Sequence, residues 1–220
     1  MNNEISKRLI TAVIISLISI LFIVAGDFFL ILFLIITFSV SIYEWKRLAS
    51  NNYILLTGFI YLIFSFSCFY LFRDTNLGFL IFALLISIFS DIGGFIIGKL
   101  FKGPKLTKIS PNKTFSGMFG SYLFSYLISF FYIKIFNNFN FFNIQLFFYD
   151  FTFFIFFLAT INQLGDLLIS YFKRLKKVDD TGKLLPGHGG LLDRIDGLIF
   201  SIPAGYTFYI FYLWKKKLVF

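Results

Sequence analysis

The sequence predicts an all-α fold, a polytopic integral membrane bundle of about seven transmembrane helices, and three observations lead there. Charged residues make up only 14% of the 220 positions and hydrophobic ones 58%, with a mean hydropathy of +0.84; soluble domains carry about 25% charged residues. The apolar residues also fall into runs close to the roughly 20 that a membrane-crossing helix needs. Charge, Gly and Pro collect in short segments between those runs instead of being spread along them.

Seven spans follow, at 9–25, 28–44, 53–72, 77–97, 116–136, 147–170 and 198–214. Lys7 and Arg8 precede the first run, and no small-residue cleavage site closes it, so it reads as a retained helix and not as a signal peptide. Only Ala25-Gly26-Asp27 separates the first two spans, which predicts a tight helical hairpin; Arg73-Asp74-Thr75-Asn76 makes a similar short turn before the fourth. The Asn-rich stretch 137–145 reads as a loop. With the N-terminus in the cytoplasm, the cytoplasmic segments hold fifteen of the twenty Lys and Arg residues, as the positive-inside rule asks. Lys215, Lys216 and Lys217 fall on the other side, so either the seventh helix does not cross fully or the heavier central loops dominate. The predicted location is the cell's inner (plasma) membrane, with the charged loops facing the cytoplasm. Residues 1–75 form the N-terminal helices and 76–220 the unit that carries the charged motifs.

The net charge of +9 would suggest a nucleic-acid partner in a soluble protein. Here the cations lie between apolar spans, where anionic headgroups and orientation explain them, and no nucleic-acid role is expected. The one cysteine, Cys68, sits inside an apolar run, which excludes an intrachain disulfide.

Two polar constellations fall on the predicted cytoplasmic side. Ser90-Asp91-Ile92-Gly93-Gly94 ends the fourth span, and a carboxylate there costs about 2.5–3.5 kcal/mol on insertion scales and usually faces the bundle interior or water. Asp91 either pairs with a structural Lys or belongs to a site. Gly94 and Gly98 have small-xxx-small spacing, which serves internal packing or a homodimer equally well. The segment from Lys99 to Thr114 holds five lysines among Gly and two prolines, a basic loop and not a helix. It ends in Ser110-Pro111-Asn112-Lys113-Thr114 directly before the fifth span, where a cation, hydroxyls and unpaired N–H groups suit a phosphate.

The second constellation runs from Gly165 to Gly197. Asp166 lies near the end of the sixth span, and a helix over 191–197 would set Asp193 and Asp196 on one face at i, i+3. Hard oxygen donors with one His and no nearby Cys suit Mg²⁺, in one or two sites, far better than Zn²⁺. Carboxylates facing many cations are the combination for phosphoryl or nucleotidyl transfer. His188, between glycines, reads as a phosphate or loop contact, because an anionic phosphate nucleophile has no proton to lose.

Ser170-Tyr171-Phe172-Lys173-Arg174, Asp180, and Leu185-Pro186-Gly187-His188-Gly189-Gly190-Leu191-Leu192-Asp193-Arg194-Ile195-Asp196 resemble the signature of the phosphatidate cytidylyltransferases, or CDP-diacylglycerol synthases. The resemblance extends to Ser90-Asp91…Gly98-Lys99 and to Ser110-Pro111-Asn112-Lys113-Thr114, hence over about the second half of the chain. Asp179, Phe115 and Ser116 depart from the family pattern, where Lys, Trp and an acidic residue are usual. The resemblance implies a Mg²⁺-dependent reaction of CTP with phosphatidate that gives CDP-diacylglycerol and pyrophosphate at a bilayer surface. It implies catalytic roles for Asp166, Asp193, Asp196, Arg194 and Lys173. Metal ligation would fall to Asp166, Asp193 and Asp196, with Asp91 as a further candidate. Lys99, Ser110, Lys113, Arg174, His188, Gly189 and Gly190 would bind substrate. A CTP-dependent kinase of a polyisoprenoid or similar lipid alcohol is the alternative enzyme, separable by its product. A transporter would spread polar residues through several helices at mid-depth, whereas here they gather at one side.

Overall fold

The computed structural model describes residues 15–136, 148–184 and 189–219; the predicted loop 137–145 and His188 lie outside them. The described chain is helical: α1 (Ile15–Ala25), α2 (Asp27–Leu48), α3 (Asn52–Thr75), α4 (Leu77–Phe101), α5 (Phe115–Phe136), α6 (Phe148–Leu175), the single turn α7 (Leu192–Ile195) and α8 (Leu198–Val219). Among the described residues there is no strand; Lys105 and Thr114 form an isolated antiparallel bridge. Six segments are long and apolar enough to cross a membrane, the last being Leu192–Trp214; the first predicted span contributes the shorter apolar helix α1. The protein is a multi-pass membrane helix bundle.

The turns form as their residues dictate. Gly26 has φ 71, and a side chain there would collide with the Arg73 guanidinium. That guanidinium donates to the carbonyls of Ile23 and Val24, each at 3.2 Å, and so satisfies the open end of α1. Asn51 and Asn76 begin α3 and α4 by accepting from the N–H groups of Ile54 and Phe79 at 2.8 and 2.9 Å. Several helices outrun their predicted spans, α4 reaching Phe101 and α6 reaching Leu175. Hydropathy marks only the part that lipid solvates, while the backbone ladder continues until something reverses the chain. For α4 that is Lys102 and Gly103, both at positive φ.

The close contact of α4 with α5 is made by glycine. Side chains at Gly93, Gly94 or Gly98 would press on Gly120, Ser121, Gly117 and Thr114 of the facing segment. The Gly94/Gly98 face is therefore covered by α5 of the same chain. The main core is aromatic, with Phe72, Phe79, Phe82 and Phe154 fully buried among Tyr132, Tyr209 and Phe208. A second cluster of Trp45, Leu48, Leu62, Ile169, Leu192 and Ile199 packs beneath the signature loop. Large apolar side chains such as Phe28, Tyr53, Phe95 and Phe130 remain exposed on the outside, where lipid would solvate them.

Pro203 lies inside α8 and cannot bond the carbonyl of Ile199 four residues back. In an apolar bundle that oxygen needs another donor. Ser65 Oγ and Tyr61 Oη from α3 donate to it at 2.8 and 3.2 Å. The proline thus fixes where α3 meets α8.

Candidate active site

Alternating helix directions bring the C-terminal ends of α2, α4 and α6 and the N-terminal ends of α5 and α8 to one end of the bundle. Asp91 lies ten residues before the end of α4 and Asp166 nine before the end of α6, so both sit roughly 15 Å inside their helices. Both remain accessible at that depth, Asp91 exposed and Asp166 part-buried.

A cavity of about 490 Å³ opens there, lined among others by Asp91, Ser110, Lys113, Thr114, Asp166 and Arg194. The basic loop reaches it by folding back on itself. Leu106 N–H donates to the Lys113 carbonyl at 2.8 Å and Phe115 N–H to that of Pro104 at 3.1 Å. Thr114 Oγ1 accepts from Gly117 N–H at 3.1 Å and caps α5, so part of the predicted phosphate-binding helix start is satisfied internally. Lys113 is carried into the cavity, where its Nζ meets Asp166 Oδ2 at 2.6 Å. Asn162 Nδ2 donates to Asp91 Oδ1 at 2.7 Å and orients it. Asp196 lies within Coulombic reach of both Asp166 and Asp91.

The expected metal-binding carboxylates divide into two groups. Asp193 is engaged by protein on both oxygens. Oδ1 accepts from Lys173 Nζ at 2.7 Å; Oδ2 accepts from the N–H groups of Thr181 and Gly190 at 2.8 and 3.1 Å and contacts Thr181 Oγ1 at 3.0 Å. Its side chain is 6% exposed and that of Lys173 14%. Asp91, Asp166 and Asp196 form the other group, and Lys173 lies within Coulombic reach of Asp196 as well as bonding Asp193.

Among the described residues no three Asp, Glu, His or Cys side chains stand at ligating distance around one point, and Lys113 occupies an oxygen of Asp166. The donor chemistry nevertheless fits a hard divalent cation. Three carboxylates lie within Coulombic reach of one another, and the neighbouring Asn162 Oδ1 is buried without a hydrogen-bond partner.

Gly189 has φ 84 and packs on Asp180, where a side chain would clash, and Gly190 packs on Thr181 and Glu44. Lys99 sits over the Phe95 ring at 5.7 Å. Arg174 pairs with Asp179 at 2.8 Å in an exposed position. Sequence reasoning missed Glu44 and Thr181. Glu44 is 1% exposed, and its carboxylate accepts from Thr181 Oγ1 and from the N–H groups of Leu191 and Leu192. An acidic residue inside an apolar run, beside Lys46 and Arg47, was its only signal.

A family model described as the cytidylyltransferase family matches residues 52–212. A phosphatidate cytidylyltransferase of Staphylococcus haemolyticus is 36% identical over 156 residues, covering 67% of this chain and 55% of the relative. One from Helicobacter pylori is 36% identical over 158 residues, 70% of this chain and 56% of the relative. One from Staphylococcus epidermidis is 40% identical over 149 residues, 67% and 55%. The chain spans about half the length of the curated relatives it matches. A match over residues 52–212 takes in the cavity and the whole Gly165–Gly197 stretch, and on that ground the chain belongs to the cytidylyltransferase family.

Proposed function

We propose that this protein transfers the cytidylyl group of CTP to phosphatidate, forming CDP-diacylglycerol and pyrophosphate, at the cavity between α4, α5 and α6. The observation that carries this is the convergence of Asp91, Asp166, Lys113 and Arg194 on one polar cavity at membrane depth. There a lipid headgroup can meet a nucleotide while its acyl chains stay in the bilayer. The relatives' names agree with that reaction.

A phosphate oxygen of phosphatidate attacks the α-phosphorus of CTP. The bond to the β-phosphate oxygen breaks, and pyrophosphate leaves with the electron pair. No proton need be removed from the nucleophile, so no general base is assigned. Asp91, Asp166 and Asp196, with Asn162 Oδ1, would hold Mg²⁺, and a second metal site would draw on the same carboxylates. When bound, the ion would neutralise phosphate charge and polarise the α-phosphoryl group. Lys113 and Arg194 bind phosphate oxygens, and Lys113 exchanges its contact with Asp166 for one with phosphate. Ser110 and Thr114 line the phosphate side. Lys173 and Asp193 hold the signature loop, the N–H of Gly190 being given to Asp193, and His188 and Gly189 contact phosphate from it. The site faces the cytoplasm from the cell's inner membrane, where CTP is supplied.

Incubation with phosphatidate and α-labelled CTP tests the reading. The label is expected in a lipid that migrates as CDP-diacylglycerol, with pyrophosphate released and loss of product on chelation. Release of CDP with a phosphorylated lipid would overturn it in favour of a lipid kinase.

A further inference from the structure

We propose that Glu44 of α2 is a positioning residue for the signature loop. Burying a carboxylate costs several kcal/mol unless donors replace its water. Three do so here. Leu191 N–H donates to Oε1 at 2.9 Å, Leu192 N–H to Oε2 at 2.7 Å, and Thr181 Oγ1 to Oε2 at 2.8 Å. The Leu191 and Leu192 groups are the free N–H groups of the turn that carries Asp193, Arg194 and, at its end, Asp196.

Thr181 links this contact to the next one. Its backbone N–H holds Asp193, and its hydroxyl, with a single proton, stands within bonding distance of both Asp193 and Glu44. Gly182 and Gly190 press on the Glu44 carboxylate so closely that a side chain at either would collide with it. A residue of α2 thereby fixes both sides of the loop, at Thr181 and at Leu191 and Leu192, 137 to 148 positions away in sequence. Glu44 also lies before residue 52, where the family match begins. Its effect runs through the loop: with Leu191 and Leu192 anchored, Arg194 lines the cavity.

The proposal rests on the cavity being the reaction site, so its test has two readouts. The full chain, purified in detergent, is assayed for CDP-lipid synthesis and for amide exchange in a peptide covering Gly189–Asp196. In Glu44→Ala we expect kcat to fall about 100-fold, the effect of misplacing a catalytic group by about 1 Å, with KM for CTP within about threefold of wild type. Exchange at Leu191 and Leu192 should quicken about tenfold while the α4–α5 contact keeps its protection. Glu44→Gln, which retains one acceptor, should recover part of kcat, and Thr181→Val should lie between it and wild type. Wild-type kcat in Glu44→Ala, or loss of protection throughout the bundle, would overturn the proposal. If Glu44→Ala does not fold, wild-type kcat in both Glu44→Gln and Thr181→Val does the same. If wild type itself makes no cytidylylated lipid, the reaction reading fails, whereas the exchange data still decide whether Glu44 holds the loop.

Discussion

Two groups of carboxylates at the same end of the bundle have opposite circumstances. Asp193 and Glu44 are satisfied on both oxygens by N–H groups, a hydroxyl and the Lys173 ammonium. Asp91, Asp166 and Asp196 share a region with each other's charge, and beside them Asn162 Oδ1 has no donor. A carboxylate with all its bonds made holds a fold together, and removing it leaves donors stranded. The second group also has protein partners, Lys113 on Asp166 and Asn162 on Asp91, but its charges repel one another and an amide oxygen beside them has no donor, which is the condition of a site kept for a ligand. Spacing in sequence does not separate these cases, since Asp193 and Asp196 are three residues apart and fall in different groups.

The largest effect that can break this comparison is on the cavity group. Asp166→Ala and Asp196→Ala should reduce cytidylyl transfer to background. The detergent-solubilised Asp196→Ala protein should melt at or above the wild-type temperature, because repulsion from Asp166 and Asp91 is relieved, whereas Asp166→Ala, which leaves Lys113 without its partner, should melt slightly below it. A fall in melting temperature with activity retained would reverse the assignment. Asp193→Asn should do the opposite of Asp196→Ala on stability. Breaking its buried pair with Lys173 is expected to cost about 3–5 kcal/mol, read by thermal or denaturant unfolding.

Lys113→Met comes next. Loss of a cation aimed at developing phosphate charge should lower kcat by about 10²-fold, and the protein should remain folded because its partner Asp166 is part-exposed at 29%. Ser65→Ala probes packing outside both groups. It leaves the Ile199 carbonyl with Tyr61 alone and should cost about 1 kcal/mol without changing turnover. Arg174→Ala should do least. Its pair with Asp179 is exposed, so stability should change by less than about 0.5 kcal/mol, and an unchanged KM for CTP would separate Arg174 from the phosphate-binding set.

Much of the bundle was legible from the amino acids. A shortage of charge and runs of about 20 apolar residues leave a chain few options except spanning helices, because lipid cannot satisfy a backbone that is not internally bonded. The hairpin at Gly26 and most of the predicted loop Lys99–Thr114, all but the three residues that continue α4, were equally clear from Gly, Pro and Lys. Asp91 and Asp166 stood out because a carboxylate at that depth is costly. The helix ends were less legible, as with α4 continuing to Phe101, since they are decided by caps and chain reversal and not by hydropathy.

The tertiary structure decided how the charges are shared out. The alternation of helix direction brings Lys113 to Asp166, 53 positions away, and Glu44 to Leu191 and Leu192. It also turns the Gly94/Gly98 face inward onto α5. Residue type fixes what a group can bond, and depth in lipid fixes the cost of leaving it unbonded. Which donor arrives depends on the packing of distant helices, and no local pattern in the sequence encodes that.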